Sequence, residues 1–538
     1  MKPPLARPWT LALIIAIAVC AVRTAVLAFS GLGLSADEAH YWDWARHLDW
    51  SYPTKGPGIA YAIAAARTVL GDEPWMIRTV ATVSGAVSML LAFGLTRVAM
   101  VGAPEAQRTR AGWWALALVA LFPAFQVTGH IATIDGPYVA SWLGAVWASL
   151  AMLRRLESTR NALAPAIALG ALLGVGFLFK YTILLLVPGL IIALLARRAH
   201  VHCCKRTAIT LALVAIAFVL STMPVWIWNQ REGWPTVAHL LGHLGAPGGD
   251  VPTDGEPRAW TPLWFVEFVG SQLGMAGPFL VLMWLGVRRS APSLERIALV
   301  SIAAPIFVVY LLVSLVTDAE ANWPIAGYTT LLCLAAMRLP EGIDDFRARL
   351  DAWRAHAPPR PKEGILRKRP ETAWQLARDF SLGYGVVPAL LLLSLPATAH
   401  LLPLDRLAQS ERLGDLVIEA MDTMGTPTAE LVIVTSRYTT ASRLAHELHR
   451  RLGDEAPLIT SAASLTGDRK SAYDYWPETD PRTLRPGPVL FVGGASERKW
   501  TRRLDTGTII PTLPEPDETF GGLYAAPGFR ATRERPDP

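Results

Sequence analysis

"ALAPAIALGALLGVGFLFKYTILLLVPGLIIALLAR", residues 162–197, is a run of 36 residues that is apolar except at its centre and its last position. A bilayer's hydrocarbon core takes roughly 20 helical residues to cross, so a single span cannot use the whole run. One span would also bury Lys180 at mid-membrane, where a lone ammonium is expensive. Two short helices meeting at "FKYT" remove both difficulties. They place Lys180 and Tyr181 at a turn on one surface of the membrane.

Outward from this turn, the same reading gives spans at roughly 9–29, 75–98, 112–129, 137–153, 162–179, 182–197, 207–228, 263–287, 294–316, 324–338 and 381–400. The chain of 538 residues is 52% hydrophobic and only 17% charged, with 20 Trp. Soluble domains carry about 25% charged residues, so the composition agrees with a polytopic membrane protein. The first 29 residues have a basic start and a long apolar run with no clear small-residue cleavage site, and they read as a retained first span. The basic connections "MKPPLARP", "APEAQRTR", "LRRLESTR", "ARRAHVHCCKR", "GVRRSAPS" and the long stretch 337–370 then all fall on one side. Lys and Arg at span ends mark the cytoplasmic face, so the N-terminus is expected inside. The net charge of +6 is read as this topogenic bias. No basic stripe with base-stacking motifs is present, so nucleic acid is not an expected partner.

The expected organisation is a transmembrane module over 1–338, a basic cytoplasmic loop over 339–380, a last span over 381–400 and a small outer α/β domain over 401–538. In the loop, "IDDFRARLDAWRAHA" reads equally well as an amphipathic helix on anionic lipid or as a solvated linker. In the tail, "AELVIVTSR" and "GPVLFVGG" read as buried strands, "YTTASRLAHELHRRLG" as a helix and "PLIT" as a further strand. Cys20, Cys203, Cys204 and Cys333 form no disulfide framework and no metal-ligand spacing.

Unusual polar residues gather on the outer side. Asp37, Glu38 and Lys55 lie in the first outer loop, His130 and Asp135 between the third and fourth spans, and Lys180 and Tyr181 at the turn. Asn229 follows the seventh span, and Asp318, Glu320 and Asn322 precede the tenth. Ionisable groups collected at one membrane depth point to a functional site. Each also has a plainer reading. "SADE" fits a capping box with Ser35 as N-cap and Glu38 at the third helical position, which does not require Asp37. Lys55 in "YPTKGPG" can snorkel, and Asp135 can cap a helix before Pro137. Tyr41, Trp44 and Leu48, like Trp42 and Arg46, recur at helical spacing and read as an aromatic face at the membrane interface. His40 and His47, seven apart, fall on one helical face but make a weak pair, since surface histidines are commoner than ligands.

The stretches that carry these residues resemble a known family. "DEAHYWDWARHLDWSYPTKGPGIAYAIA" followed by "GDEPWMIRTVATVSGA" is similar to the first outer loop of bacterial membrane glycosyltransferases of the protein-O-mannosyltransferase type. That superfamily also contains the lipid A aminoarabinose transferases. The likeness continues through "IATIDGPYVASW", "GFLFKYTILLLVPG", "MPVWIWNQREGWPT" and "ANWPIAGY", and in the tail through "SRYTTASRLAHEL" and "SAYDYW". It implies a GT-C-type bundle of about eleven spans and a polyprenyl-phosphate-linked sugar as donor. By matching motif it implies Asp37 as the catalytic carboxylate and Asp135 as a second acid, with Lys55 near the donor phosphate. Position 54 is Thr, where the aminoarabinose branch has a metal-binding Glu. No cofactor is firmly implied, and a divalent metal is left open without support.

Transfer from a lipid phosphate requires a base for the acceptor, cations for the leaving phosphate, and a cavity that holds the sugar. Asp37 is the expected base, Lys55 and then Lys180 the cations. Tyr181 is expected beside the donor phosphate, and Glu38, His40, Asn229 and Asn322 in the substrate cavity. The expected function is sugar transfer to a lipid, glycan or protein acceptor on the periplasmic face of the inner membrane. The competing readings are a polyprenyl-lipid or small-molecule transporter without covalent chemistry, and a scaffold anchored by the bundle. "LGHLGAPGGDVPTDGEPRAW" reads as a flap over the cavity or as an inert loop. Sugar, acceptor and oligomeric state are not encoded in any recognisable pattern.

Overall fold

The computed structural model describes residues 6–158, 160–198, 204–250, 260–289, 293–339, 370–399, 405–484, 487–493, 504–505, 510–511, 522–527 and 530–531. The expected amphipathic segment 343–357 and part of the expected flap lie outside them. The protein is mainly helical. Among the described residues six helices are long and apolar enough to cross a membrane: Arg7–Phe29, Pro74–Ala99, Asp135–Glu157, Lys205–Arg231, Leu294–Val313 and Trp374–Leu393. Leu163–Phe179, Tyr181–Ala196 and Ile325–Leu339 are shorter apolar helices. The 36-residue run therefore folds as two pieces joined at Lys180. A short 3₁₀ turn, Tyr181–Leu185, opens the second piece.

The expected span 263–287 is not one straight helix. It is a pair, Leu263–Ala276 and Pro278–Arg288, bent by 86°. Gly277 at the break has φ +45, a conformation that costs little only for glycine. Pro278 follows it and starts the second helix, where its missing N–H is no loss. The expected span 112–129 is likewise divided, into Glu105–Leu121 and Pro123–Val127, at the proline.

The chain clusters into two compact units. The first comprises 1–26, 78–224 and 260–395; the second comprises 27–77, 225–259 and 396–538. In the first unit, Asp135–Glu157 is the central helix: 83% of its apolar window is buried, against 28% for Arg7–Phe29 and 17% for Trp374–Leu393. The low values belong to helices whose apolar faces are left for lipid. Trp142 of the central helix is fully buried and donates from Nε1 to Thr330 Oγ1 at 2.9 Å. Close helix approach depends on small residues. A Cβ on Gly170 would clash with the Val214 carbonyl, and one on Gly174 with the Ser221 side chain.

In the second unit, strands β1 (Val432–Thr435), β2 (Leu458–Ser461), β3 (Val489–Val492), β5 (Ile510–Pro511) and β6 (Leu523–Ala526) form one sheet in the order β2-β1-β3-β6-β5. The strands β4 (Leu504–Asp505) and β7 (Arg530–Ala531) form a separate pair. β1 is parallel to both β2 and β3, whereas β3 and β6 are antiparallel. All four residues of β1 and of β3 are buried, as expected of central strands covered on both faces. Val432, Val434, Val489 and Phe491 lie in the core there. The helix Tyr438–Leu452 connects β1 to β2. It also packs against the helix Ala36–Arg46 of the first outer loop. A second loop helix, Gly58–Leu70, follows.

Candidate active site

The first group of site residues belongs to the first unit. Asp135 opens the central helix, where a carboxylate is favoured by the helix dipole. Its side chain is 5% exposed and accepts from Lys180 Nζ at 2.8 Å on Oδ1. Its other oxygen accepts from Asn322 Nδ2 at 2.7 Å. Lys180 is the residue at which the helix Leu163–Phe179 ends, in an extended conformation with φ −149. Its ammonium stands 5.6 Å from the centre of the Tyr138 ring. The Tyr138 hydroxyl in turn accepts from Thr182 Oγ1 at 3.1 Å. A buried ion pair endures only when its remaining hydrogen-bonding capacity is met; here both carboxylate oxygens have donors. An ammonium carries three hydrogens, so Lys180 has donors beyond the one engaged by Asp135.

The second group lies in the second unit, on the helix Ala36–Arg46. The expected capping box is present: Glu38 N donates to Ser35 Oγ at 3.3 Å, and Ser35 N donates to Glu38 Oε2 at 2.9 Å. Glu38 is fully buried, whereas Asp37 beside it is exposed. The two acids are thus divided in work: Glu38 holds the helix start and Asp37 presents its carboxylate outward. Replacing the cap, Ser35→Ala, is expected to lower stability by about 1 kcal/mol, read as a lower unfolding midpoint in detergent. Lys55 reaches over the same helix, with Nζ 5.7 Å from the Tyr41 ring centre.

Residues 54–228 match the family described as dolichyl-phosphate-mannose-protein mannosyltransferase. Lipid A galacturonosyltransferase RgtD from Rhizobium johnstonii is 28% identical over 336 residues, 60% of this chain and 64% of the relative. The chain thus aligns with somewhat under two thirds of that relative's length. The crystal structure of ArnT from Cupriavidus metallidurans in the apo state superposes with a TM-score of 0.60 at 15% identity, covering 97% of this chain and 98% of ArnT. ArnT bound to undecaprenyl phosphate gives 0.58, also at 15% identity, over 95% and 97% of the two chains. Residues 54–228 are thus similar to the protein mannosyltransferase family, and the chain has the fold of ArnT.

Within this fold the other expected residues take various places. Tyr181 begins the 3₁₀ turn, its ring 4.6 Å from that of Phe177. Asn322 serves Asp135, as described. Asn229 is committed to its own turn: Nδ2 donates to the Val225 carbonyl at 3.0 Å, and Oδ1 accepts from Thr236 N at 3.3 Å. That turn contains Trp234 at φ 63, the one left-handed residue other than glycine among the described residues. His40 is buried, with Nδ1 at 3.0 Å from Ser442 Oγ. Among the described residues no three His, Cys, Asp or Glu side chains group as a metal-ligand set.

The aromatic residues of the first loop are not an interfacial face. Tyr41, Trp42 and Trp44 are 3%, 0% and 1% exposed. Trp44 stacks on Tyr52 at 4.1 Å, and Trp42 donates from Nε1 to Asp72 Oδ1 at 2.6 Å while meeting His446 edge-on. Helical spacing showed that this face is apolar, but a partner helix from the tail covers it, not lipid. Tyr138, Thr182, Asp43, Ser442 and Tyr473 lie in the stretches that carry the family resemblance, but no local spacing singles them out as site residues.

Proposed function

We propose that this protein transfers a sugar from a polyprenyl-phosphate donor to a lipid A-type acceptor, and that the sugar is a hexuronic acid of the galacturonosyl kind. The observation that carries the reading is the buried Lys180–Asp135–Asn322 set at a helix start, in a chain whose curated relative is named for lipid A galacturonosyl transfer. The donor class rests on the ArnT fold, seen in a complex with undecaprenyl phosphate. The site lies on the periplasmic side of the inner membrane, with the N-terminus in the cytoplasm. The distribution of Lys and Arg over the connections supports that orientation.

In this reading the acceptor hydroxyl gives its proton to Asp37 as its oxygen bonds to the anomeric carbon. The bond from that carbon to the phosphate oxygen breaks, and the electron pair leaves with the polyprenyl phosphate. Lys55 stabilises the charge that grows on the phosphate. In the first unit Lys180 is fixed by Asp135, and Asn322 holds the Asp135 carboxylate in register. Direct displacement inverts the anomeric configuration.

The test uses the purified full chain in lipid vesicles with lipid A and radiolabelled polyprenyl phosphates bearing galacturonate, mannose or aminoarabinose. Label is expected in lipid A from the galacturonate donor, with inverted configuration. Absence of transfer from every donor would overturn the enzymatic reading. Transfer from a neutral donor alone would overturn the sugar assignment.

A further inference from the structure

One face of the helix Ala36–Arg46 carries more than Asp37. His40 and Tyr41 follow it by three and four residues, so they lie one turn further along the same face. Lys55 sits over Tyr41 and also acts electrostatically on His40. His40 itself is held from behind by a chain of hydrogen bonds. Tyr473 donates to Asp43 Oδ2 at 2.5 Å, its oxygen is 3.1 Å from Ser442 Oγ, and Ser442 Oγ is 3.0 Å from His40 Nδ1.

The directions in this chain are fixed by what each group can give. A carboxylate only accepts, so the Tyr473 hydrogen goes to Asp43. Ser442 has one hydrogen, and two acceptors share it: the Tyr438 carbonyl at 2.9 Å and the Tyr473 oxygen at 3.1 Å, whose own hydrogen is given to Asp43. This placement assigns the proton between Ser442 and His40 to His40 Nδ1. Its Nε2 is left as a lone-pair acceptor, with no protein hydrogen bond among the described residues. Burial, and then Lys55, push the imidazole pKa down to about 3, so the ring stays neutral over the whole physiological range. It is an acceptor that does not switch to a donor.

We propose that His40 Nε2 accepts a hydrogen bond from a hydroxyl of the donor's sugar, and that Ser442 and Tyr473 are positioning residues that fix the ring in the accepting tautomer. This rests on the transferase reading above. It assigns sugar recognition to the helix that bears the base, and it gives the tail of the chain a part in that recognition. Asp43 completes the chain: it is 2% exposed and receives the Tyr473 hydrogen.

The experiment pairs variants with a series of singly deoxygenated donor sugars. His40→Ala is expected to lower kcat/KM by about 5–10-fold, the loss of one neutral hydrogen bond. With one deoxy donor, the wild type is expected to lose the same factor and His40→Ala nothing further, because the two changes remove one interaction. His40→Gln, which keeps an acceptor near the Nε2 position, is expected to restore part of the discrimination. Ser442→Ala and Tyr473→Phe are expected to reduce it while His40 remains. Selective ¹⁵N-histidine NMR of the full chain is expected to show His40 protonated on Nδ1 in the wild type, and a mixture of tautomers in Ser442→Ala.

A His40→Ala enzyme that still discriminates among all the deoxy donors as the wild type does would overturn the role of Nε2. A wild-type ring protonated on Nε2 would overturn the positioning chain. If the wild type transfers no sugar at all, the transferase reading fails and the sugar contact with it, whereas the spectra still decide the positioning chain. Ser442→Ala leaves the Tyr473–Asp43 bond in place, so it serves where Tyr473→Phe does not fold.

Discussion

Asp37→Asn is expected to slow sugar transfer by about 10²–10⁴-fold, the usual worth of a general base, with the unfolding midpoint unchanged. The separation of effects follows from the division between the two neighbouring acids. Asp37 is exposed, and the start of its helix is held by Ser35 and Glu38. Asn has nearly the same shape and keeps a polar group at the helix start, so the structural loss is small. It cannot take a proton. The measurement is kcat at saturating donor in vesicles, with thermal unfolding of the same preparation. A variant that transfers at the wild-type rate would remove Asp37 from the chemistry and leave it as one more acid near a helix N-terminus.

Lys180→Met should have the largest effect on stability. It leaves Asp135, nearly buried, with Asn322 as its one side-chain donor. Removing one partner of a buried ion pair typically costs 3–5 kcal/mol, about the whole margin of a weakly stable fold. The carboxylate at 2.8 Å from the ammonium would have to be protonated or hydrated in place. The double variant Lys180→Met, Asp135→Leu removes both charges and is expected to recover most of that loss, since apolar replacements of buried pairs are often neutral. Transfer should not recover with it. Unfolding in mixed micelles and the vesicle assay, run on the two single variants and the double, separate these outcomes. Recovery of activity in the double variant would show that the pair is a structural strut alone.

The sequence made the helical frame legible because length and apolarity alone decide what can cross a bilayer. It also exposed the turn at Lys180, since no single span accommodates that charge. The pairing of Asp135 with Lys180 and Asn322 was not legible, because those partners lie 45 and 187 positions away. Local spacing carries no information about which helix ends meet. The aromatic face of residues 41–44 failed for a related reason. An apolar stripe records that something covers it, and lipid and protein leave the same record. The break at Gly277–Pro278 had a readable signal, a glycine followed by a proline inside an apolar run, that span counting overrode. Ser442 and Tyr473 sit in a tail whose likeness to the family had been noted, but only the fold places them behind His40.

The two helices that meet at Lys180 have a dimensional consequence. Leu163–Phe179 has 17 residues, so at about 1.5 Å per residue it is roughly 25 Å long, short of the roughly 30 Å of an average hydrocarbon layer. A span too short for its bilayer is accommodated by local thinning. In the proposed orientation such thinning would draw the outer leaflet toward the turn and set the Lys180–Asp135 pair below the mean level of the headgroups. The phosphate of the proposed polyprenyl donor would then meet positive charge without climbing out of the layer in which its own tail is dissolved. Reactant depth becomes a property of helix length, and lengthening Leu163–Phe179 by one turn would lift the reacting level by about 5 Å.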